Sequence, residues 1–346
     1  MNRLPSGLSI VVALASCTPA ADSAPPPPPA QEIHALAIPQ DLFARVNGVT
    51  LHYLDWGGKG DLLLFIHGWG HTAHSFDGIA PAFTDRYRVM GLTRRNHGAS
   101  EKPTPGHDLN TLAQDIVAFM DAVGAKRTIL VGHSFAGLEM PLVAARAADR
   151  VTGIVFLDAV YDWPGLVSSL GDKGIGRYFQ LPDSALASRE ALEDWYRRRD
   201  PTTWGAAQAA TLRSQTYLGK DGRMAWQLSA AMSAQLPKLN AKPAAFSGIR
   251  APVLALWAKQ AEPAAASMKA FGYSASDIEL WRKWAAEVDV PNKQRGIEQL
   301  KRAVPNATVV EMRAPHTLHW YNPTEVIRLM NRFLSGLPTT SSRATG

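Results

Sequence analysis

Three residues spread widely along the chain could together make a hydroxyl reactive. Ser134 stands among small residues in Gly132-His133-Ser134-Phe135-Ala136-Gly137. An isolated serine is a poor nucleophile. It needs a base to take its proton, and the base needs a carboxylate to hold it in the right tautomer. His316 directly follows the loop after the last strand-like run, close to where the serine turn would point. Asp158 ends an earlier apolar run, Val151 to Leu157. The chemistry in view is acyl transfer through a serine, a histidine and an acid.

The elements around Ser134 fit that role. Thr128-Ile129-Leu130-Val131 is β-branched and apolar, and Leu138 to Ala148 is helix-like. Strand, sharp turn and helix in that order read as a nucleophile turn of the Gly-x-Ser-x-Gly type. Gly132 and Gly137 carry no Cβ and leave room for a strained backbone. The hydroxyl would then sit at the carboxyl end of a sheet, beside the positive end of a helix.

Upstream, Phe43 to Val46, Asn47-Gly48 and Val49 to Trp56 read as a hairpin with a two-residue turn. Leu62 to Ile66 is wholly apolar, as expected of a strand covered on both faces. Tyr87 to Leu92, Val151 to Leu157, Val253 to Trp257 and Thr308 to Met312 read as further strands. Leu112, Ile116, Phe119, Met120 and Val123 fall at helical spacing and stop at Gly124. Asn322-Pro323-Thr324-Glu325 opens a last helix running to about Leu334, with Asn as cap and Glu325 placed to reach back.

These patterns resemble the α/β-hydrolase family from about Ala44 to Leu334. The resemblance implies an α/β fold: a mostly parallel, eight-stranded type of sheet with helices on both faces. It assigns hydrolase core to 41–160 and 250–335. It also implies an inserted helical cap over 161–249, where the strand pattern disappears and Trp and helix formers abound. A second insertion, from about Pro263 to Asn292, would add to the same lid. In His67-Gly68-Trp69-Gly70 it gives the backbone N–H of Trp69 half of an oxyanion hole, the N–H of Phe135 being the other half. His67 reads as a structural histidine, and His133 as a packed one. The family form places a Pro seven residues after the base, as Pro323 follows His316; Pro315 replaces the usual Gly. His319 is then a surface or supporting histidine.

The acid has two candidate positions. The commonest one in the family falls at Ala261, with Glu262 next to it. The other is Asp158, in a setting like that of the haloalkane-dehalogenase branch, and it is preferred; Asp162 is a lesser option. Thr93 to Ser100 departs from the family's Asp-x-Arg-Gly-x-Gly-x-Ser at Thr93 and Asn96.

Of 346 residues, 46% are apolar, enough for a large core. The net charge of +6 comes from scattered residues, apart from Arg197-Arg198-Arg199, so no basic stripe points to nucleic acid. Metal-ligand spacing, phosphate loop and dinucleotide fingerprint are all missing, and no cofactor is expected. Met1-Asn2-Arg3 and the apolar Leu8 to Leu14 read as an export signal. Leu14-Ala15-Ser16-Cys17 looks like a bacterial lipobox, which implies lipidation at Cys17 and a protein on the periplasmic face of a membrane. The alternative is an ordinary signal cut near Ala20 and a soluble periplasmic or secreted protein. Residues 18–40, with Pro25 to Pro29, read as a stiff tether, and 336–346 as a frayed tail.

A serine at position 134, where epoxide hydrolases and dehalogenases use aspartate, favours an acyl-enzyme. The expected substrate is a carboxylic ester or lactone. Alternatives are C–C hydrolysis or perhydrolysis on the same residues, or a non-catalytic binding module. Neither the particular substrate nor the oligomeric state is written in the sequence.

Overall fold

The structure is a computed structural model. It describes residues 38–166, 181–199, 204–240, 243–259, 265, 268–269 and 271–338. The expected export signal with Cys17, nearly all of the tether, and Glu262 lie outside the described residues.

Eight strands form one sheet: β1 (Gln40–Val46), β2 (Val49–Gly57), β3 (Leu62–Ile66), β4 (Arg88–Leu92), β5 (Thr128–His133), β6 (Val151–Leu157), β9 (Val253–Ala258) and β10 (Thr308–Met312). Two short strands, β7 (Thr216–Leu218) and β8 (Met224–Trp226), pair separately. The order across the large sheet is β1-β2-β4-β3-β5-β6-β9-β10. β1 and β2 enter antiparallel, and β2 is antiparallel to β4; from β4 to β10 every pairing is parallel. β5, which carries the turn at Ser134, is therefore an interior strand with β3 and β6 as neighbours.

Strand alternation sorts the core into two layers. Leu62, Leu64 and Ile66 of β3 pack on one face, with Ile116, Phe119 and Met120 of α1 (Leu109–Ala122) and Met140 and Val143 of α2 (Ala136–Arg146). Leu63 and Phe65 point the other way, onto Phe76 and Phe83 and onto Val326, Met330 and Leu334 of the C-terminal helix (Pro323–Ser335). With both faces covered, all five residues of β3 are buried.

The local signals behave as their chemistry requires. Asn47 and Gly48 both take positive φ in the β1–β2 turn. Asp108 caps α1 by accepting from the N–H groups of Asn110 and Thr111. Asn322 caps the last helix through Glu325 N–H at 3.2 Å. The Glu325 carboxylate does not reach back. It pairs with Arg328 at 2.7 Å, where an exposed cation one turn on is the better partner.

The segment between β6 and β9 contains α3 (Arg189–Arg199), α4 (Ala206–Gln215) and two short helices, Ala230–Ser233 and Leu236–Asn240. It also contains the β7–β8 hairpin, where no strand was expected; three-residue strands are too short to show periodicity. The segment touches the carboxyl side of the sheet. Ser214 bonds Thr72 at 2.5 Å, and Ser229 donates to Asn96 at 2.8 Å. After β9 come α5 (Ala275–Trp284), a π turn (Ala285–Asp289) and α6 (Val290–Ala303). Trp281 and Trp284 pack in the same cluster as Trp69, Phe135, Tyr161 and Trp163. No helix among the described residues is long and apolar enough to cross a membrane.

One buried ion pair ties α2 to the loops beside it. Arg94, after β4, donates to Glu139 of α2 at 2.7 and 2.6 Å, and to the carbonyl of His67 at 2.8 Å. Glu139 is fully buried. Replacing it with Ala leaves a guanidinium in the core without its counterion. Glu139→Ala should cost about 3–5 kcal/mol in urea unfolding, far more than an exposed pair such as Arg328–Glu325.

Candidate active site

The site forms where β5, β6 and the loop after β10 end on the same edge of the sheet. Ser134 has φ of +53°, an unfavourable value for a residue with a Cβ, and its N–H is held by the carbonyl of Leu157 at 3.2 Å. The residue two places after Ser134 is Ala136, with Gly137 behind it, so the turn is Gly-x-Ser-x-Ala-Gly rather than Gly-x-Ser-x-Gly. Gly137 has a different task. A Cβ there would fall 1.7 Å from the carbonyl oxygen of Ala159, so its bareness lets α2 pass against the chain leaving β6.

Asp158 also has positive φ, +43°. That turn aims its carboxylate at His316, whose Nδ1–H donates to Oδ2 at 2.6 Å. Tyr161 donates its hydroxyl to the same oxygen at 2.5 Å and lies 2.9 Å from His316 Nδ1. Oδ1 accepts from the backbone N–H of Ala258 at 2.8 Å. Lys293 stands 3.2 Å from Oδ2. Burial alone would raise this carboxyl. The Lys293 charge, and then the His316 bond, outweigh it and leave Asp158 below its ordinary value. Burial, and after it the charge of the same carboxylate, push the Tyr161 hydroxyl well up, so it stays protonated and donates.

Nδ1 of His316 is thus engaged. Nε2 is buried and finds no partner among the described residues. The ring lies 4.6 Å from that of His133, the residue before Ser134, and His133 Nε2–H donates to the carbonyl of His316 at 3.1 Å. The loop carrying His316 is therefore fastened to the turn carrying Ser134. On the other side, a Cβ on Gly68 would lie 3.1 Å from Cβ of Ser134, so the His67–Trp69 loop abuts the serine. Among the described residues, neither Trp69 N–H nor Phe135 N–H donates to a protein acceptor. Buried backbone donors are rarely left so, and an anion seated between them would satisfy both.

His67 donates from Nδ1 to its neighbour's carbonyl at 2.7 Å and accepts from Arg94 N–H at 2.9 Å. His319 is buried against Phe76 and His133, not on the surface. Asp162 pairs with Arg295 at 2.9 Å and takes no part in holding His316. Asn96, standing where the family has Gly, has φ of +64°, a conformation Asn tolerates. Thr93, standing for the usual Asp, lies 2.8 Å from His52 Nδ1. The hairpin and the loop after β3 bring Asp41, His52 and His74 together, with one possible metal ligand from each within 4.8 Å of the others. Sequence spacing gave no sign of this group. Asp41 pairs with His52 at 2.6 Å and His74 with Asp77 at 2.8 Å, which accounts for their placement.

Lys293, Tyr161 and the Arg94–Glu139 pair were not foreseen as site residues. No spacing pattern marks them: Tyr161 reaches Asp158 from three residues along the chain, and Lys293 and Glu139 arrive through the packing of α6 and α2.

The chain matches the alpha/beta hydrolase fold family over residues 61–323, and it belongs to that family. It is similar to a non-heme chloroperoxidase of Streptomyces lividans, 37% identical over 117 residues, 33% of this chain and 42% of that protein. It is also similar to a bifunctional esterase/perhydrolase of Acinetobacter calcoaceticus, 33% identical over the same shares. The chain spans roughly a third to a half of the length of such curated relatives. Among solved structures, E-2-(acetamidomethylene)succinate hydrolase superposes with a TM-score of 0.66 at 21% identity, covering 86% of this chain and 100% of that one. That likeness is one of fold.

The buried imidazoles have a consequence for stability. Burial, followed by neighbouring positive or ionisable groups, holds His67, His97 and His133 well below their ordinary value of 6.5 and brings His319 down to about 3. Unfolded, each takes up a proton below 6.5; folded, it does not. Stability is therefore intact above that value and falls as the solution is acidified, by about 1.4 kcal/mol per pH unit for each such group. Urea midpoints should fall steeply between pH 6.5 and 5, and His319→Gln should flatten the slope.

Proposed function

We propose that this protein hydrolyses a carboxylic ester or lactone, with Ser134 as nucleophile, His316 as general base and Asp158 as the acid. The observation that carries the reading is the free Nε2 of His316. Its partner nitrogen is committed to Asp158, so Nε2 is the atom left to take the Ser134 proton. Ser134 Oγ attacks the carbonyl, and the oxyanion accepts from the N–H groups of Trp69 and Phe135. His316 then gives its proton to the leaving alcohol. Water enters, loses a proton to His316, and releases the acid from the acyl-serine.

In this reading the segment between β6 and β9 is a cap. Together with α5, it packs Trp163, Met232 and Trp281 into one cluster with Trp69 and Phe135, beside the reacting atoms. A lining of that kind suits a bulky or apolar acyl or alcohol group and excludes water. Glu262 as the acid would require the Asp158–His316 bond to be broken, and Asp158 is the preferred residue for that reason. A second reading is favoured by relatives named esterase/perhydrolase and chloroperoxidase: hydrogen peroxide in place of water would release a peracid from the same acyl-enzyme.

The test uses p-nitrophenyl acetate and a fluorophosphonate probe. Ser134→Ala should lose labelling and turnover together. Asp158→Asn should keep the geometry and lower kcat by about 10³–10⁴-fold. A wild type that neither labels nor turns over favours a binding module, and peracid formed from acetate and hydrogen peroxide favours the second reading.

The export reading rests on Leu14-Ala15-Ser16-Cys17 and the tether behind it. Bound lipid would hold the hydrolase at a membrane surface. Cys17→Ala should move the protein from the membrane pellet to the soluble fraction; an unchanged distribution points to the ordinary signal cut near Ala20.

A further inference from the structure

A fully buried lysine stands behind the Asp158–His316 pair. The ammonium of Lys293 lies 3.2 Å from Asp158 and 3.2 Å from Asp289, and donates to the carbonyl of Ala258 at 2.7 Å. The backbone N–H of that same Ala258 donates to the other oxygen of Asp158. Lys293 therefore grips both the carboxylate and the strand end that supports it.

The placement is specific. Asp289 and Lys293 are four residues apart and share one side of the turn where the π segment runs into α6. Three residues further on, a Cβ on Gly296 would lie 2.7 Å from the backbone of Tyr161, so only glycine lets α6 come this close. A cation taken from water is costly unless it is paired, and an apolar side chain would fill the same space at less cost. The charges also have an order. Asp158 faces the imidazole, Lys293 stands behind it, and Asp289 stands behind Lys293. Together they carry one net negative charge, as a lone aspartate would, but Lys293 draws on the electrons of the carboxylate that His316 feels.

We propose that Lys293, balanced on its far side by Asp289, is a positioning residue for the Asp158–His316 pair, fixing the carboxylate and setting how firmly it holds a proton on the imidazole. This rests on the triad reading above. The other ionisable neighbours of His316 are Tyr161, which stays protonated, and His71, His133 and His319, which stay neutral. Arg94, on the loop after β4, is paired with Glu139. Lys293 and Asp289 should therefore act on His316 with opposite sign.

Asp289→Asn leaves the lysine charge unbalanced and disfavours the imidazolium. The acidic limb of the kcat/KM profile should move down by about one pH unit. The double variant Lys293→Met with Asp289→Asn removes both charges together. Its acidic limb should move up by about one unit. Its kcat should fall roughly tenfold, from the loosened carboxylate, while KM stays within about twofold. Lys293→Arg should keep the wild-type limb. Limbs that stay in place, with only the melting temperature lowered, would reduce the lysine to a structural ion pair and overturn the proposal. Should the double variant fail to fold, Asp289→Asn decides alone: an upward shift or none overturns it. The imidazole resonances of His316, followed by NMR, report the same shifts without substrate. A wild type that turns over no ester but shows both shifts sinks the hydrolase reading and leaves the lysine's grip on the pair standing.

Discussion

A carboxylate kept from water must be surrounded by donors, and the bond between Asp158 and His316 sets that requirement for the whole carboxyl edge of the sheet. One oxygen of Asp158 faces the imidazole, a tyrosine hydroxyl and an ammonium; the other faces a backbone N–H. Each donor comes from a different place: the loop after β10, the chain leaving β6, helix α6, and the end of β9. None of them could be there unless β6 lay between β5 and β9 with β10 beyond. The parallel register of these strands is thus the frame that makes a buried charge tolerable.

The same bond divides the histidine into two unequal nitrogens. With Nδ1 committed, the ring is held in place, and its buried Nε2 is left without a partner among the described residues. Strain at Ser134 and at Asp158 persists because their neighbours fix them: Leu157 holds the N–H of Ser134, while Leu256 accepts from the N–H of Asp158 at 2.7 Å. Two strand ends therefore present their side chains by the same backbone device. A local conformational cost is offset by ladder bonds that the sheet makes in any case.

Much of this was written locally. The β-branched run before Ser134, the small residues around it, and the Pro seven places after His316 are short-range patterns, and the structure gives them the expected strand, turn and helix. The local pattern around Asp158 is of the same short-range kind, and its carboxylate lies 2.6 Å from Nδ1 of His316, while Glu262 lies outside the described residues. What was not legible depends on distance. Lys293 lies in a helix of mixed charge and reads as a solvated side chain until α6 is packed against Tyr161. Arg94 and Glu139 are 45 residues apart, and nothing in either neighbourhood announces the other. The β7–β8 hairpin was missed because three residues cannot display a period of two.

Asp158 and His316 are separated by 158 positions in the chain. A polypeptide emerging from the ribosome exposes the turn at Ser134 long before the imidazole follows. Until β10 docks beside β9, Asp158 lacks the imidazole among its donors. In newly made molecules this buried carboxylate therefore stays incompletely satisfied until almost the last segment is in place, so the edge of the sheet and the C-terminal part of the chain are completed together.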